Sequence, residues 1–366
     1  MTAGQNRRII LWGYGIMGIT VSDFGSCAKG VTKLYTLKAG RYSVSVSDFG
    51  ATLVSFTISD DRGKTTDVVL GHDNAAEYEA GGGHLGAVVG RHANRIGGSS
   101  FVLNGQKVTL TPNENGHNNL HSGPDFYGKR IFAVEPVDEK GNAVTFVMDS
   151  PDGDQGFPGH LTLKVTYSLT EDGSLTLHYE AVSDADTICN PTNHVYFNLD
   201  GEGSGSILDH VMKICADRIV CIDHESIPTG DLREVADSPF DFREPKKVGR
   251  DIGAADEQLK NGTGYDHCFC LSEDKTQLRK VVEVYSEKTG IALDVSTDLP
   301  GIQFYSGNYL QDMTGKQGKI YHDRDGFALE TEYYPDSVNK PAFAQPVLKA
   351  GETFSSDTVY RLSYRK

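Results

Sequence analysis

From about residue 30 onward, apolar and polar residues alternate in short runs. Clear examples are residues 42–46, 52–58, 101–103, 108–110, 143–148, 161–169, 175–179, 281–285 and 291–295. A period of two places alternate side chains on opposite faces of a half-buried ribbon, so these runs predict strands. Between them stand turn signals, among them Asn104-Gly105, Lys140-Gly141-Asn142, Glu171-Asp172-Gly173 and Thr289-Gly290, the usual punctuation of antiparallel hairpins. Helical periodicity is weak throughout. The strand texture continues to the end of the chain without a Pro/Ser-rich linker or a break in composition. One large sheet-on-sheet unit is therefore expected over residues 19–366, an all-β antiparallel sandwich, with residues 1–18 set apart as an N-terminal extension. The pentapeptide Val-Ser-Asp-Phe-Gly at Val21 and again at Val46 has no longer period with it and does not announce a repeat array.

Composition narrows the function classes. The 366 residues carry 50 acidic against 35 basic side chains, a formal net charge of −15, which gives a phosphate backbone or an anionic lipid surface nothing to be steered by. Nucleic-acid and membrane-surface roles are disfavoured. Forty-one glycines with 17 Tyr and 16 Phe suit strands joined by tight turns. The six cysteines (27, 189, 215, 221, 268 and 270) show no CxxC and no repeated spacing, as expected of thiols in a reducing compartment, so a cytoplasmic location is expected. The apolar stretch 9–21 behind Arg7 and Arg8 faintly imitates a secretory signal, but it is too short and too Gly-rich to span a membrane.

Three local motifs suggest chemistry that their surroundings do not support. Gly13-Tyr-Gly-Ile-Met-Gly18 spells a dinucleotide fingerprint, yet the residues after it read as strand and turn where a helix should receive the pyrophosphate. His117 and His121 have zincin spacing, but Asn118 stands where the general-base Glu belongs, and Asn, Gly and Pro around it oppose a helix. Asp152-Gly-Asp154-Gln-Gly156 opens like a calcium loop and then places Gly156 and Leu163 at ligand positions; it reads as a turn.

Four segments dense in polar residues interrupt the strands: 90–95 (GRHANR), 118–123 (NNLHSG), 190–198 (NPTNHVYFN) and 329–336 (LETEYYPD). Asn, His, Arg and Glu among strand-forming residues must satisfy one another or face a ligand, because unpaired burial costs about 1–3 kcal/mol per group. A polar seam between sheets would account for any one segment. Four together favour a site. His with Glu is a minimal acid–base kit near pH 7, while amides, guanidinium and aromatic rings suit a polyhydroxylated ligand, which points to carbohydrate.

At these residues the chain resembles the aldose 1-epimerase, or galactose mutarotase, family. Matching text runs in order from Asp48-Phe-Gly-Ala-Thr through GRHANRI, NNLHSGP, SPDGDQGFPGHL, NPTNHVYFNLDG, GYDHCF and PGIQFYSGNYL to ALETEYYPDSVNKP, covering most of the chain after about residue 20. The resemblance implies a single large β-sandwich with an open cleft. It also implies an isomerase that interconverts the α and β anomers of free aldohexoses such as galactose and glucose, with no cofactor and no metal.

Position by position, it makes Glu330 the general base on the anomeric hydroxyl and His194 the general acid that protonates the ring oxygen. His121 would assist at that oxygen, and Asn94, Arg95, Asp266 and Gln303 would grip hydroxyls. The expected partner is a small-molecule sugar, and the expected assembly a monomer or homodimer. Glu332 departs from the family text, where Gln is common, as do Ser122 for Gly, Phe126-Tyr127 for Gly-Phe and Val195 for Thr. At strand spacing Glu330 and Glu332 share a face, so both are expected at the cleft, with the second charge raising the pKa of the first. His72, His84, His92, His210 and His322 match no family role and read as surface or core histidines. A β-sandwich glycosidase would need a carboxylic acid donor where this chain offers His194. A sugar-binding module without catalysis would have lost Glu330 or His194, and a sugar-phosphate epimerase would add a basic phosphate clamp.

Overall fold

The computed structural model describes residues 10–11, 16–271 and 277–365. The nucleotide-like Gly13 and Gly15 lie outside them. Residues 42–47 show why the chain forms strands: Tyr42, Val44 and Val46 are buried while Ser43 and Ser45 between them are only partly covered. The same alternation is complete in Leu161–Leu169, where Leu161, Leu163, Val165, Tyr167 and Leu169 all point into the core. Among the described residues the α-helices are two short ones, Ala75–Ala80 and Glu257–Asn261, capped by the side chains of Asn74 and Asp256.

Strand pairing is antiparallel, as the hairpin signals predict. Asn104 and Gly105, at φ of 51° and 77°, form the two-residue turn between Ser100–Leu103 and Gln106–Thr109. A nine-stranded sheet runs in the order Ala133–Val134, Ala143–Ser150, Leu161–Leu169, Ser174–Ser183, Thr353–Tyr364, Ile291–Thr297, Arg279–Tyr285, Val211–Ile214, Lys246–Lys247. Against it lies a six-stranded sheet ordered Tyr196–Phe197, Phe327–Glu332, Gly301–Tyr305, Asp266–Cys270, Arg218–Ile222, Pro228–Glu234. Tyr360 ties the two together, its ring packing on Phe197 and its hydroxyl donating to the Leu329 carbonyl at 3.0 Å.

A second six-stranded sheet is formed by the N-terminal part of the chain. Its strand Ile16–Cys27 pairs with Gly30–Ala39, so the division expected at residues 18 and 19 falls inside a strand. The two Val-Ser-Asp-Phe-Gly copies differ in use. Residues 21–25 stay within that strand at a register shift, whereas residues 46–50 leave theirs for a turn at Gly50, φ 70°.

The strand Phe327–Glu332 is buried at all six positions, and this two-sided burial positions the site. Phe327 and Leu329 enter the main core with Ile302 and Phe304 of the neighbouring strand. Ala328, Glu330 and Glu332 take the opposite face.

Candidate active site

Short pairings draw the four polar segments together. Val88–Val89 pairs with Thr192–Asn193, Arg95–Ile96 with Asn119–Leu120, and Tyr196–Phe197 with the strand that carries Glu330. Several of the polar residues remain structural. Arg91 donates to the carbonyls of Pro158 and Gly159 and to Ser150 Oγ, Asn190 pairs with the main chain of Tyr333, and Asn198 donates to the Gly205 and Asp325 carbonyls. Asn94, Arg95, His121, His194 and Glu330 instead line one cleft of about 560 Å³ together with Asp266. Ligand sites commonly span about 300–1,000 Å³.

The floor of the cleft is a face of the six-stranded sheet. Glu330 lies opposite Gln303, which lies opposite Cys268; in the next row Ala328 faces Tyr305 and Tyr305 faces Asp266. Opposed residues of antiparallel strands project to the same side, so register alone puts the two carboxylates and the tyrosine on one surface. Gln303, 3% exposed, shares that face, and its Nε2 donates to Asp266 Oδ1 at 2.7 Å. Arg95 grips Glu114 through Nε and Nη2, each at 2.9 Å, while Nη1 stands 3.9 Å from Asp266 Oδ2.

Glu332 departs from the expectation. It shares the face of Glu330 but is wholly buried and does not line the cleft; its Oε1 accepts from Asn94 Nδ2 at 3.2 Å, and its Oε2 has no hydrogen-bond partner among the described residues. Behind burial, Asp266 raises the pKa of Glu330, and Glu330 in turn raises that of Glu332.

The histidines are set by an unusual stretch of backbone. Asn94, His121 and Ser122 all lie in the left-handed region, at φ of 59°, 54° and 55°. The amide of His121 donates to the Asn94 carbonyl, and the amide of Asn94 donates to His121 Nδ1, both at 3.0 Å. Ser122 stands where the family text has Gly, as a positive φ explains, and its hydroxyl bonds both the N–H and the carbonyl of His92. His194 Nε2 is 3.6 Å from Glu330 Oε1, while its Nδ1 is buried without a partner among the described residues. Tyr196 packs beside it at 5.0 Å between ring centroids.

Burial dominates the electrostatics. It pushes His194 down to about 3, with His84 adding to the effect, and it carries His121 well below the usual histidine range. Burial, helped by Asp266, lifts Glu330 well above the usual carboxylate range. Arg95 stays charged because Asp266 and Glu114 outweigh its own desolvation. A low His and a high Glu in contact share one proton between them, and a dry site favours the neutral distribution of that proton.

One ligand atom each from His121, His194 and Glu330 come within 4.8 Å of one another, a spacing a metal ion could bridge. The tautomer opposes that use. Asn94 N–H occupies the Nδ1 lone pair of His121, so the neutral ring carries its proton on Nε2 and offers no lone pair there. The same proton is well placed for donation to an oxygen.

Sequence reasoning missed several lining residues. His84, expected as a surface or core histidine, is on the cleft wall; Glu114, Tyr305 and Tyr309 line it as well. Asn113-Glu114-Asn115-Gly116 reads only as a turn, and Tyr305 ends an ordinary strand run, so neither carries a local signal. His84 directly follows Gly81-Gly82-Gly83, the one mark that sets it apart. The other four behave as expected: His72 packs on Tyr78, His92 and His210 are buried, and His322 is at the surface beside Asp312.

The chain is similar to known proteins over most of its length. A sequence model of the family described as aldose 1-epimerase matches residues 33–361. The chain is 37% identical over 351 residues to a galactose mutarotase of Sus scrofa, covering 95% of this chain and 99% of that one. It is 40% identical over 320 residues to an aldose 1-epimerase of Escherichia coli K12, covering 87% and 91%. Among solved structures, a galactose 1-epimerase from Lactobacillus acidophilus superposes with a TM-score of 0.84 at 25% identity, covering 96% of this chain and 100% of that one. An aldose epimerase homologue from C. elegans gives 0.81 at 30% identity with the same coverage.

Proposed function

This chain belongs to the aldose 1-epimerase family and interconverts the α and β anomers of aldoses, and we propose that it does so by a one-proton relay between Glu330 and His194. Opening a hemiacetal ring requires a proton to leave O1 and another to reach O5. In the working distribution Glu330 is a carboxylate and His194 carries the proton. Glu330 takes the O1 proton as His194 delivers its own to O5, the C1–O5 bond breaks and C1 becomes the aldehyde carbon. The pair still holds one proton, now the one from O1 on the carboxyl, which is the neutral distribution that burial favours. Rotation about C1–C2 presents the other face of the aldehyde, and the reverse transfers close the ring.

The observation that carries this reading is the 3.6 Å separation of His194 Nε2 and Glu330 Oε1 at the base of the cleft. Two groups so close can serve the O1 and O5 atoms of one sugar, which are both bonded to C1. His121, with its proton on Nε2, adds a donor at O5. Asn94, Arg95 and Asp266 hold the remaining hydroxyls, and Gln303 holds Asp266. Free hexoses such as galactose and glucose are the substrates. None of the six cysteines is in a disulfide, in keeping with a cytoplasmic enzyme.

Polarimetry of freshly dissolved α-galactose and α-glucose tests the reading. The protein should speed the approach to equilibrium rotation, leave glucose 6-phosphate at its spontaneous rate, and release no nitrophenol from nitrophenyl galactosides. Preference for the phosphate ester would make it a sugar-phosphate epimerase, and nitrophenol release a glycosidase.

A further inference from the structure

His84 lines the cleft but has no part in the relay. It follows three glycines and sits at φ +53°, so its ring reaches the cleft wall from a backbone conformation that few side chains adopt. Two rings hold it edge-on: Phe126 at 4.6 Å between centroids and 80° between planes, and His121 at 4.9 Å and 64°. His194 is 5.9 Å away. This clamp fixes the imidazole plane without using either ring nitrogen, since neither forms a hydrogen bond among the described residues. Burial also keeps the ring neutral, its pKa pushed down to about 4. A neutral imidazole offers one donor and one acceptor, the complement of a hydroxyl group.

Its place relative to the relay indicates which hydroxyl. His121, His194 and Glu330 gather around the O1–C1–O5 unit, and His84 adjoins the two histidines while standing outside that three-group set. Going along the sugar from C1 past O5, the next carbon is C5, whose substituent in a hexopyranose is the hydroxymethyl group. Resting on the assignment of O5 to the histidines made above, we propose that His84 is a specificity-determining residue that hydrogen-bonds the C6 hydroxyl. It thereby favours hexoses with a free 6-hydroxyl over 6-deoxyhexoses and pentoses.

Three sugars of the same ring stereochemistry separate the possibilities: D-galactose, its 6-deoxy analogue, and L-arabinose, which lacks C6 altogether. With His84→Phe, kcat/KM for galactose should fall by about three- to tenfold, the worth of one net hydrogen bond, while the values for the other two stay within about twofold. His84→Gln, which restores a donor and an acceptor, should keep more of the preference for galactose than His84→Phe does. Loss by one common factor on all three sugars, complete loss included, would overturn the proposal, because His84 would then act only through the packing of His121. Unchanged galactose kinetics in His84→Phe would overturn it too. Failure of the parent protein on all three sugars would instead reject the anomerase reading on which the proposal stands.

Discussion

The main-chain amide of Asn94 donates to Nδ1 of His121, and the amide of His121 donates back to the Asn94 carbonyl, each at 3.0 Å. This reciprocal pair fixes the tautomer of an imidazole that lines the cleft, with a main-chain donor as the partner of the ring. His121→Ala should therefore have two separable effects. It removes a donor at O5, lowering kcat by about 10²-fold, and it strands the buried Asn94 amide, costing about 1–3 kcal/mol in chemical denaturation. Retention of full stability would mean that the amide finds another acceptor and that the tautomer is not held as described.

A proton on Nε2 of His121 also bears on metal dependence. Because that nitrogen has no free lone pair, the His121, His194 and Glu330 group should work without an ion. Dialysis against a chelator is expected to leave the mutarotation rate unchanged, whereas a loss reversed by added zinc would contradict the tautomer assignment.

The pH profile follows from the shared proton. His194 is depressed to about 3, so the doubly protonated pair forms only in acid, and Glu330 is raised well above the usual carboxylate range, so the pair loses its last proton only far above ordinary carboxylate titration. The profile of kcat/KM should hold level above an acid limb that lies below about pH 5. An acid limb near 6.5, the value of an unperturbed histidine, would show that His194 is solvated in the working enzyme.

Glu332 supplies a prediction about stability. Burial, with Glu330 next to it, raises its pKa well above the ordinary value, so the folded state binds a proton that the unfolded state has released. Stability therefore falls as pH rises from about 4.3, the unfolded value, toward the folded pKa. Glu332→Gln keeps the acceptor for Asn94 Nδ2 and cannot ionise. Its Tm should equal that of the parent near pH 4 and exceed it increasingly toward pH 8, with most of the activity retained. A variant less stable than the parent at pH 8 would mean that the carboxylate is paired in solution.

Much of this architecture is legible in the sequence because the strands alternate cleanly: a run such as 161–169 needs no tertiary information to be read as β. The proposed acid–base pair is legible for another reason. Glu330 and His194 are polar groups inside apolar strand text, and the family resemblance singles them out among the polar residues. What the sequence hides is which side chains of a polar segment reach the cleft. Asn94 and Arg91 lie three residues apart, yet one lines the site and the other is consumed by the Pro158 and Gly159 carbonyls. Glu330 and Glu332 share a strand face, but the loop carrying Asn94 covers only the second, and a two-residue period cannot foresee a covering loop. His84 reaches the wall by a left-handed backbone that leaves only a run of glycines as its trace.

Exchange of the O1 proton by Glu330 is read out by polarimetry of α-galactose with Glu330→Gln beside the parent. The amide keeps the shape of the carboxyl and its buried position while removing the base. With the sugar still bound, kcat should fall by at least ~10²-fold. Mutarotation by Glu330→Gln at a rate close to that of the parent would contradict it.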